Sequence, residues 1–152
     1  MEQSLTTVAG FAVDLARAYD PETHLWVQDV GEGRFRLGLD ALGVETSGTL
    51  AAVAFVAPGT EVVRGEPFGS MEAAKFVGPL ILPLTGNVVA VNEAVQADPS
   101  VVERDPYGAG WLVEVAAVAP AEFLPFVRGD EAVASWFAAA VQDYRLKGVL
   151  AE

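Results

Sequence analysis

The chain contains no cysteine. That excludes disulfides, a thiol nucleophile and thiolate metal sites. It has one histidine, His24, so a multi-histidine metal site cannot be assembled within one chain. Lysine is nearly missing as well: Lys75 and Lys147 stand beside seven arginines, although lysine is ordinarily among the commonest residues. Nine Lys and Arg against 21 Asp and Glu give a net charge of −12. Nucleic-acid binding requires cations that neutralise phosphates, so neither nucleic acid nor an anionic membrane surface is expected as a partner. The negative charge serves solubility, or steers the chain toward basic partner proteins. Long apolar runs are absent. The longest, residues 50–58, falls far short of the roughly 20 residues that a membrane-spanning helix requires. Glu2 stands where a secretory signal would carry Lys or Arg, so the expected compartment is the cytoplasm.

What the chain does have is apolar content, 52% of its 152 residues. Disorder is excluded for most of its length, and one domain with an ordinary core is expected. Val8, Phe11, Ala12, Leu15 and Tyr19 recur at helical spacing, and Asp20-Pro21 would end a helix there. An N-terminal helix over 7–19 is therefore predicted. From His24 the pattern alternates instead. Residues 24–27 and 34–37 flank Asp29-Val30-Gly31-Glu32-Gly33, a hairpin signature. Gly31-Glu32-Gly33 reads as a turn, since no phosphate-loop pattern follows it. Residues 40–46 form a linker or helical turn, and residues 50–56 a buried strand. Beyond them Pro58-Gly59, Gly65, Pro67, Gly69, Gly78-Pro79, Pro83 and Gly86 punctuate short apolar runs. That is the texture of a β-sandwich or barrel. Pro58-Gly59-Thr60-Glu61-Val62-Val63 and Pro83-Leu84-Thr85-Gly86-Asn87-Val88-Val89 are alike, and they flank one stretch centred on Lys75. Such symmetry suggests a pseudo-twofold.

Toward the end of the chain Val133, Trp136, Phe137, Ala140, Val141 and Tyr144 follow one another at i, i+3, i+4, i+7, i+8 and i+11. With Asp130 as N-cap and Lys147-Gly148 as a C-terminal signal, a helix over 131–147 is predicted. Its stripe is too apolar to leave in water, so it should dock on the barrel or on a second subunit, on the side away from Lys75. The expected organisation is a body over 1–118 with an N-terminal helical segment, and a helical extension over 119–152.

Lys75 stands in Gly69-Ser70-Met71-Glu72-Ala73-Ala74-Lys75-Phe76, between two strand-like segments, with small alanines before it. By itself that describes a solvated lysine. Lys147 has a simpler explanation, as the complement of a helix dipole. The surrounding motifs say more. His24-Leu25-Trp26-Val27 resembles His-Glu-Trp-Val of the glycine cleavage H proteins and the lipoyl carriers around them. Residues 38–60 align without a gap on that family's linker and next strand. Glu72-Ala73-Ala74-Lys75 resembles its lipoylation motif Glu-Ser-Val-Lys, and Pro83-Leu84-Thr85-Gly86 its Ser-Pro-Val-Ser-Gly turn. Val91-Asn92-Glu93 and Asp105-Pro106-Tyr107-Gly108-Ala109-Gly110-Trp111 resemble its Val-Asn-Glu and Asp-Pro-Tyr-Gly-x-Gly-Trp segments. The last of these also reads as a glycine-rich turn with Trp111 anchoring the core.

The resemblance implies a mainly β fold, a flattened barrel-sandwich hybrid of two antiparallel sheets with terminal helices. It implies lipoic acid joined by an amide to Lys75, with Glu72 recognised by a lipoate ligase or lipoyl transferase. His24 is either a residue of the cavity that receives the arm or a structural histidine beside a strand tryptophan. The chain would be a carrier rather than an enzyme, moving a sulfur-bound group and electrons between partners. Those partners would be glycine decarboxylase, aminomethyltransferase and dihydrolipoyl dehydrogenase. In the related lipoate-binding proteins of heterodisulfide-reductase-like sulfur oxidation they would be sulfur-oxidation enzymes. An unmodified interaction module is the alternative of another class. Biotin carriers place Met on both sides of their lysine; here Ala74 and Phe76 do so, which favours lipoate. Leu25, Thr49, Ala54 and Val56 depart from the family pattern, and Phe76-Val77-Gly78-Pro79 replaces its Ala-x-Ser. Several of the replaced residues are carboxylates near the arm, so the departures weaken the expectation of an aminomethyl cargo.

Overall fold

The computed structural model describes residues 5–150. Among the described residues there are eleven strands: β1 (Leu5–Val8), β2 (Phe11–Asp14), β3 (Ala18–Tyr19), β4 (Leu25–Gly31), β5 (Arg34–Leu39), β6 (Leu50–Phe55), β7 (Glu61–Val62), β8 (Pro67–Ala73), β9 (Val77–Ile81), β10 (Gly86–Val91) and β11 (Val113–Ala117). The helices are α1 (Ala41–Ser47), α2 (Glu93–Ala97), α3 (Ser100–Arg104) and α4 (Asp130–Leu146), with a 3₁₀ turn over Pro120–Phe123. A six-stranded sheet, ordered β3-β4-β5-β11-β10-β7, faces a three-stranded sheet, β6-β8-β9, and their pairings are antiparallel. This is the expected two-sheet sandwich. Inward residues of both sheets, among them Val27, Leu37, Val53, Phe68, Met71, Leu80, Val88 and Val115, form one continuous core.

The predicted N-terminal helix is not formed. β1 and β2 make a separate hairpin, with Val8 opposite Phe11. Ala9 and Gly10 take up the turn, both at positive φ, 50° and 93°. A two-residue turn of this kind suits the strand twist. It also brings residues three apart to one place, so the i, i+3 spacing that mimics a helix is satisfied by a hairpin. After it, Asp14 Oδ1 accepts from Ala16 N and Oδ2 from Arg17 Nε, and the chain turns away from helical geometry.

The β4–β5 hairpin is as expected, closed by Glu32 and Gly33 at positive φ. Residues 40–46 resolve into α1, whose N-cap is Asp40. The segment over 50–56 is a strand buried on one face only: Leu50 and Val53 point inward, while Ala51, Ala52 and Ala54 are exposed. A run of small apolar residues carries no alternation, so its sequence reads as buried on both faces. The two valine segments lie side by side, Val62 opposite Gly86 and Glu61 opposite Asn87, an arrangement that accords with the local twofold.

α4 begins one residue earlier than predicted. Gly129, at φ 92°, is its N-cap and Asp130 is its first helical residue, where the charges of Asp130 and Glu131 suit the helix dipole. Val133, Phe137 and Val141 are buried in a second cluster with Val13, Tyr19, Trp26, Leu42 and Tyr107. Trp26 lies against Gly38 on the paired strand, where a Cβ would come within 2.4 Å of the indole ring. Trp111 packs on the edge of that cluster and is only half-buried, under the Arg36 guanidinium, 4.5 Å from the ring centre. Tyr107 of the same turn, 2% exposed, is the fully buried member. Asn92 Nδ2 donates to the carbonyls of Ala109 and Trp111, so the Val91-Asn92-Glu93 segment holds the glycine-rich turn in place. Among the described residues, no helix is long and apolar enough to cross a membrane.

Candidate functional site

Lys75 stands at the tip of the β8–β9 hairpin. The ladder ends at Glu72 opposite Val77, and Ala73 N donates to Phe76 O across the turn. The next two tip amides are taken by the end of α1 and the loop after it: Ala74 N donates to Thr49 O at 2.9 Å, and Lys75 N to Ser47 O at 2.8 Å. The tip is thus an anchored projection. Gly48 makes the approach feasible. It caps α1 at φ 78°, ψ −166°, and a Cβ there would lie 3.2 Å from Ala74 Cβ and 3.3 Å from Lys75 Cγ.

The Lys75 side chain is exposed and has no hydrogen-bond or ion-pair partner among the described residues. Glu72 is exposed on the outward face of β8, since the alternation that buries Met71 turns its neighbour outward. Lys147 differs: it pairs with Asp143 at 2.9 Å, and that hydrogen bond holds its ammonium above the usual lysine value. Around Lys75 runs an open groove of about 440 Å³, to which Glu45 of α1 and Glu103 of α3 contribute carboxylates.

On the other side of the tip is a cavity of about 270 Å³, lined among others by His24, Leu25, Leu39, Met71, Phe76 and Tyr144. Apolar side chains dominate its walls, and Glu22, Thr23, Thr46 and Ser47 are its further polar members. His24 is buried, with its backbone in the left-handed region at φ 59°. Its Nδ1 lies 2.8 Å from Asp40 Oδ2, and the ring stacks on Trp136 with centroids 5.4 Å apart and planes 24° apart. Tyr144 approaches the same ring at 5.7 Å. Partial burial and then the Asp40 charge push the Tyr144 phenol above its ordinary value. Burial is the leading cause of the same upward shift at Tyr19 and Tyr107, which flank Asp40 more deeply. These phenols therefore remain neutral near pH 7.

Of the residues singled out from sequence, Lys75 and Glu72 share one hairpin, and His24 lines a cavity that Phe76 also lines. α4 reaches this cavity through Tyr144, while none of its residues lines the groove around Lys75. The stripe docks there through Trp136 and Tyr144, which pack against His24. Leu25, at a position where the family carries Glu, is 2% exposed and belongs to the sandwich core. Thr49 contributes its carbonyl to the tip. Sequence reasoning missed Asp40, Gly48, Glu45 and Glu103. Asp40 had a usable signal, an N-cap residue before a short apolar turn. The others had none beyond the gap-free alignment of residues 38–60. Among the described residues, no group of three or more His, Cys, Asp or Glu could hold a metal ion.

Comparison with known proteins gives a consistent answer. The family model described as Glycine cleavage H-protein matches residues 17–136. The glycine cleavage system H protein of Synechococcus sp. (strain JA-3-3Ab) is 40% identical over 114 residues, covering 75% of this chain and 87% of that protein. Its counterpart from Mycolicibacterium vanbaalenii is 40% identical over 92 residues, covering 60% of this chain and 70% of that one. The crystal structure of a glycine cleavage system H protein from Mycobacterium marinum superposes with a TM-score of 0.65 at 36% identity, covering 70% of this chain and 87% of that one. With the two-sheet sandwich and the projecting lysine hairpin already described, these matches show that the chain belongs to the glycine cleavage H-protein family.

Proposed function

We propose that this chain is a lipoyl carrier of the glycine cleavage type and that Lys75 is its attachment site. The observation that carries the reading is the combination at the hairpin tip: an exposed amine without a partner among the described residues, on a backbone pinned by two hydrogen bonds to the loop after α1. The residues fit the group. Ala73, Ala74 and Gly48 leave the amine open to a modifying enzyme, and an apolar cavity beside the tip suits a saturated arm. Lipoate supplies a dithiolane that takes up electrons or a group on sulfur, chemistry that a cysteine-free chain cannot supply itself.

The chain's own part is positional. The pinned tip sets the anchor point, and tethering there raises the effective concentration of the arm at each partner. Glu72, exposed three residues before the lysine, is the feature that a lipoate ligase or lipoyl transferase reads. His24, Phe76 and Tyr144 wall the cavity that receives the arm. Amide formation removes the positive charge of Lys75, so the groove keeps the carboxylates of Glu45 and Glu103 without that cation. In the cavity itself Glu22 supplies a carboxylate where Leu25 has replaced one, which supports a cationic aminomethyl cargo. The partners under this reading are glycine decarboxylase, aminomethyltransferase and dihydrolipoyl dehydrogenase. The chain is the carrier that they share, and the compartment is the cytoplasm.

Intact-mass analysis after expression with a lipoate ligase and lipoate tests the assignment. One lipoyl adduct is expected, lost in Lys75→Arg and kept in Lys147→Arg. An adduct that survives Lys75→Arg, or a wild-type chain that stays unmodified, overturns it.

A further inference from the structure

Asp40 is fully buried, yet neither the family motifs nor the proposed attachment chemistry uses it. Both of its oxygens are engaged. Oδ1 accepts from Gly43 N at 2.8 Å, capping α1, and Oδ2 lies 2.8 Å from His24 Nδ1. An ionised carboxylate only accepts hydrogen bonds, so the ring nitrogen that faces it must carry a proton. In a neutral imidazole the other nitrogen is then a bare acceptor. That atom, Nε2, has no protein partner among the described residues, and the His24 ring lines the apolar cavity. The ring has little freedom to turn over, since it stacks on Trp136 and meets Tyr144. The backbone adds restraint: Asp40 N donates to His24 O at 2.8 Å, and His24 N to Asp20 O at 3.0 Å.

We infer that Asp40 is a positioning residue, which holds His24 as the Nδ1–H tautomer and so offers Nε2 to the cavity as an acceptor. The inference rests on the reading of that cavity as the receptacle for the arm. An acceptor in an apolar pocket favours an occupant that carries a donor. A reduced arm, with thiol hydrogens, satisfies it; a closed disulfide offers no donor. Beside the Glu22 carboxylate and the Thr23, Thr46 and Ser47 hydroxyls of the same lining, His24 Nε2 is thus an acceptor that favours the reduced arm, and Asp40 sets which ring nitrogen plays that part.

Asp40→Asn separates this role from helix capping. Asn is as good an N-cap as Asp, and its carbonyl can still accept from Gly43. Its amide, however, presents hydrogens to Nδ1, which must then accept, and the ring proton moves to Nε2. Because His24 is the single histidine, long-range ¹H–¹⁵N NMR of the unmodified chain reports its tautomer without ambiguity once the ring is neutral. The expected result is Nδ1–H in the wild type and Nε2–H in Asp40→Asn. A wild-type chain with Nε2–H overturns the inference, even if the variant fails to fold. A folded variant that keeps Nδ1–H overturns it as well.

The second measurement uses lipoylated protein with the arm reduced, where alkylation reports only the arm because the chain has no cysteine. Alkylation of Asp40→Asn should be faster than wild type by about fivefold, the population shift that one neutral hydrogen bond supports. Equal rates would show that the acceptor does not select the reduced arm. The tautomer measurement needs no lipoate, so its failure is distinguishable from failure to find modification at Lys75.

Discussion

Gly48 is the point where the lysine hairpin can be loosened with the smallest change. Its backbone, φ 78° and ψ −166°, lies in a region open essentially to glycine, where another residue is strained by about 1–3 kcal/mol. Gly48→Ala also adds a Cβ 3.2 Å from Ala74 Cβ and 3.3 Å from Lys75 Cγ. The lysine side chain can swing aside. The Ala74 methyl cannot, because its backbone is tied to Thr49 O and that of its neighbour to Ser47 O. Relief must stretch one or both of those bonds, each contributing about 0.5–1.5 kcal/mol. The expected loss is therefore about 2–4 kcal/mol out of a total of order 5–15. Gly59→Ala is the reference, since Gly59 has φ +94° and a Cβ added there would meet nothing within 4 Å. It reports the cost of a positive φ alone. Equilibrium urea denaturation of both variants, with amide exchange at Ala74 and Lys75, checks the reasoning. Gly48→Ala should lose more stability than Gly59→Ala and should lose protection at the two tip amides. Equal losses with unchanged protection would show that the loop after α1 does not hold the tip.

Two further outcomes follow from burial. Phe137 is fully buried and Trp136 only half-buried, so Phe137→Ala should cost about 3–5 kcal/mol and Trp136→Ala less, by urea denaturation; a larger loss at Trp136 would contradict the assigned faces of α4. Tyr19 and Tyr107 have phenols raised by burial, so the folded chain keeps protons that the unfolded chain gives up above about pH 10. Stability is intact below that pH and falls above it, by about 1.4 kcal/mol per pH unit for each tyrosine. Urea midpoints that stay level up to about pH 11 would refute this, and Tyr19→Phe should roughly halve the slope.

Local chemistry made much of this protein legible from its sequence. Glycine-bearing turns and alternation set out the β4–β5 hairpin, and 3.6-residue periodicity set out α4. The ordered motifs around Glu72-Ala73-Ala74-Lys75 identified the carrier family and the candidate lysine. Those signals are local because a turn or an amphipathic stripe needs only its own residues. The same locality misled at the N-terminus, where Val8 and Phe11 fit a helix turn and a two-residue hairpin equally well. There the packing decided, with the Phe11 ring 6.1 Å from that of Phe137. Tertiary structure alone joined His24 to Asp40 and to Tyr144 of the last helix, and so brought α4 to the cavity. It also set Gly48 under the lysine hairpin and Glu103 beside Lys75. Periodicity states which face of an element is apolar but not which element will cover it. That choice depends on strand order and on the volumes that must fit together, which exist only once the chain is folded.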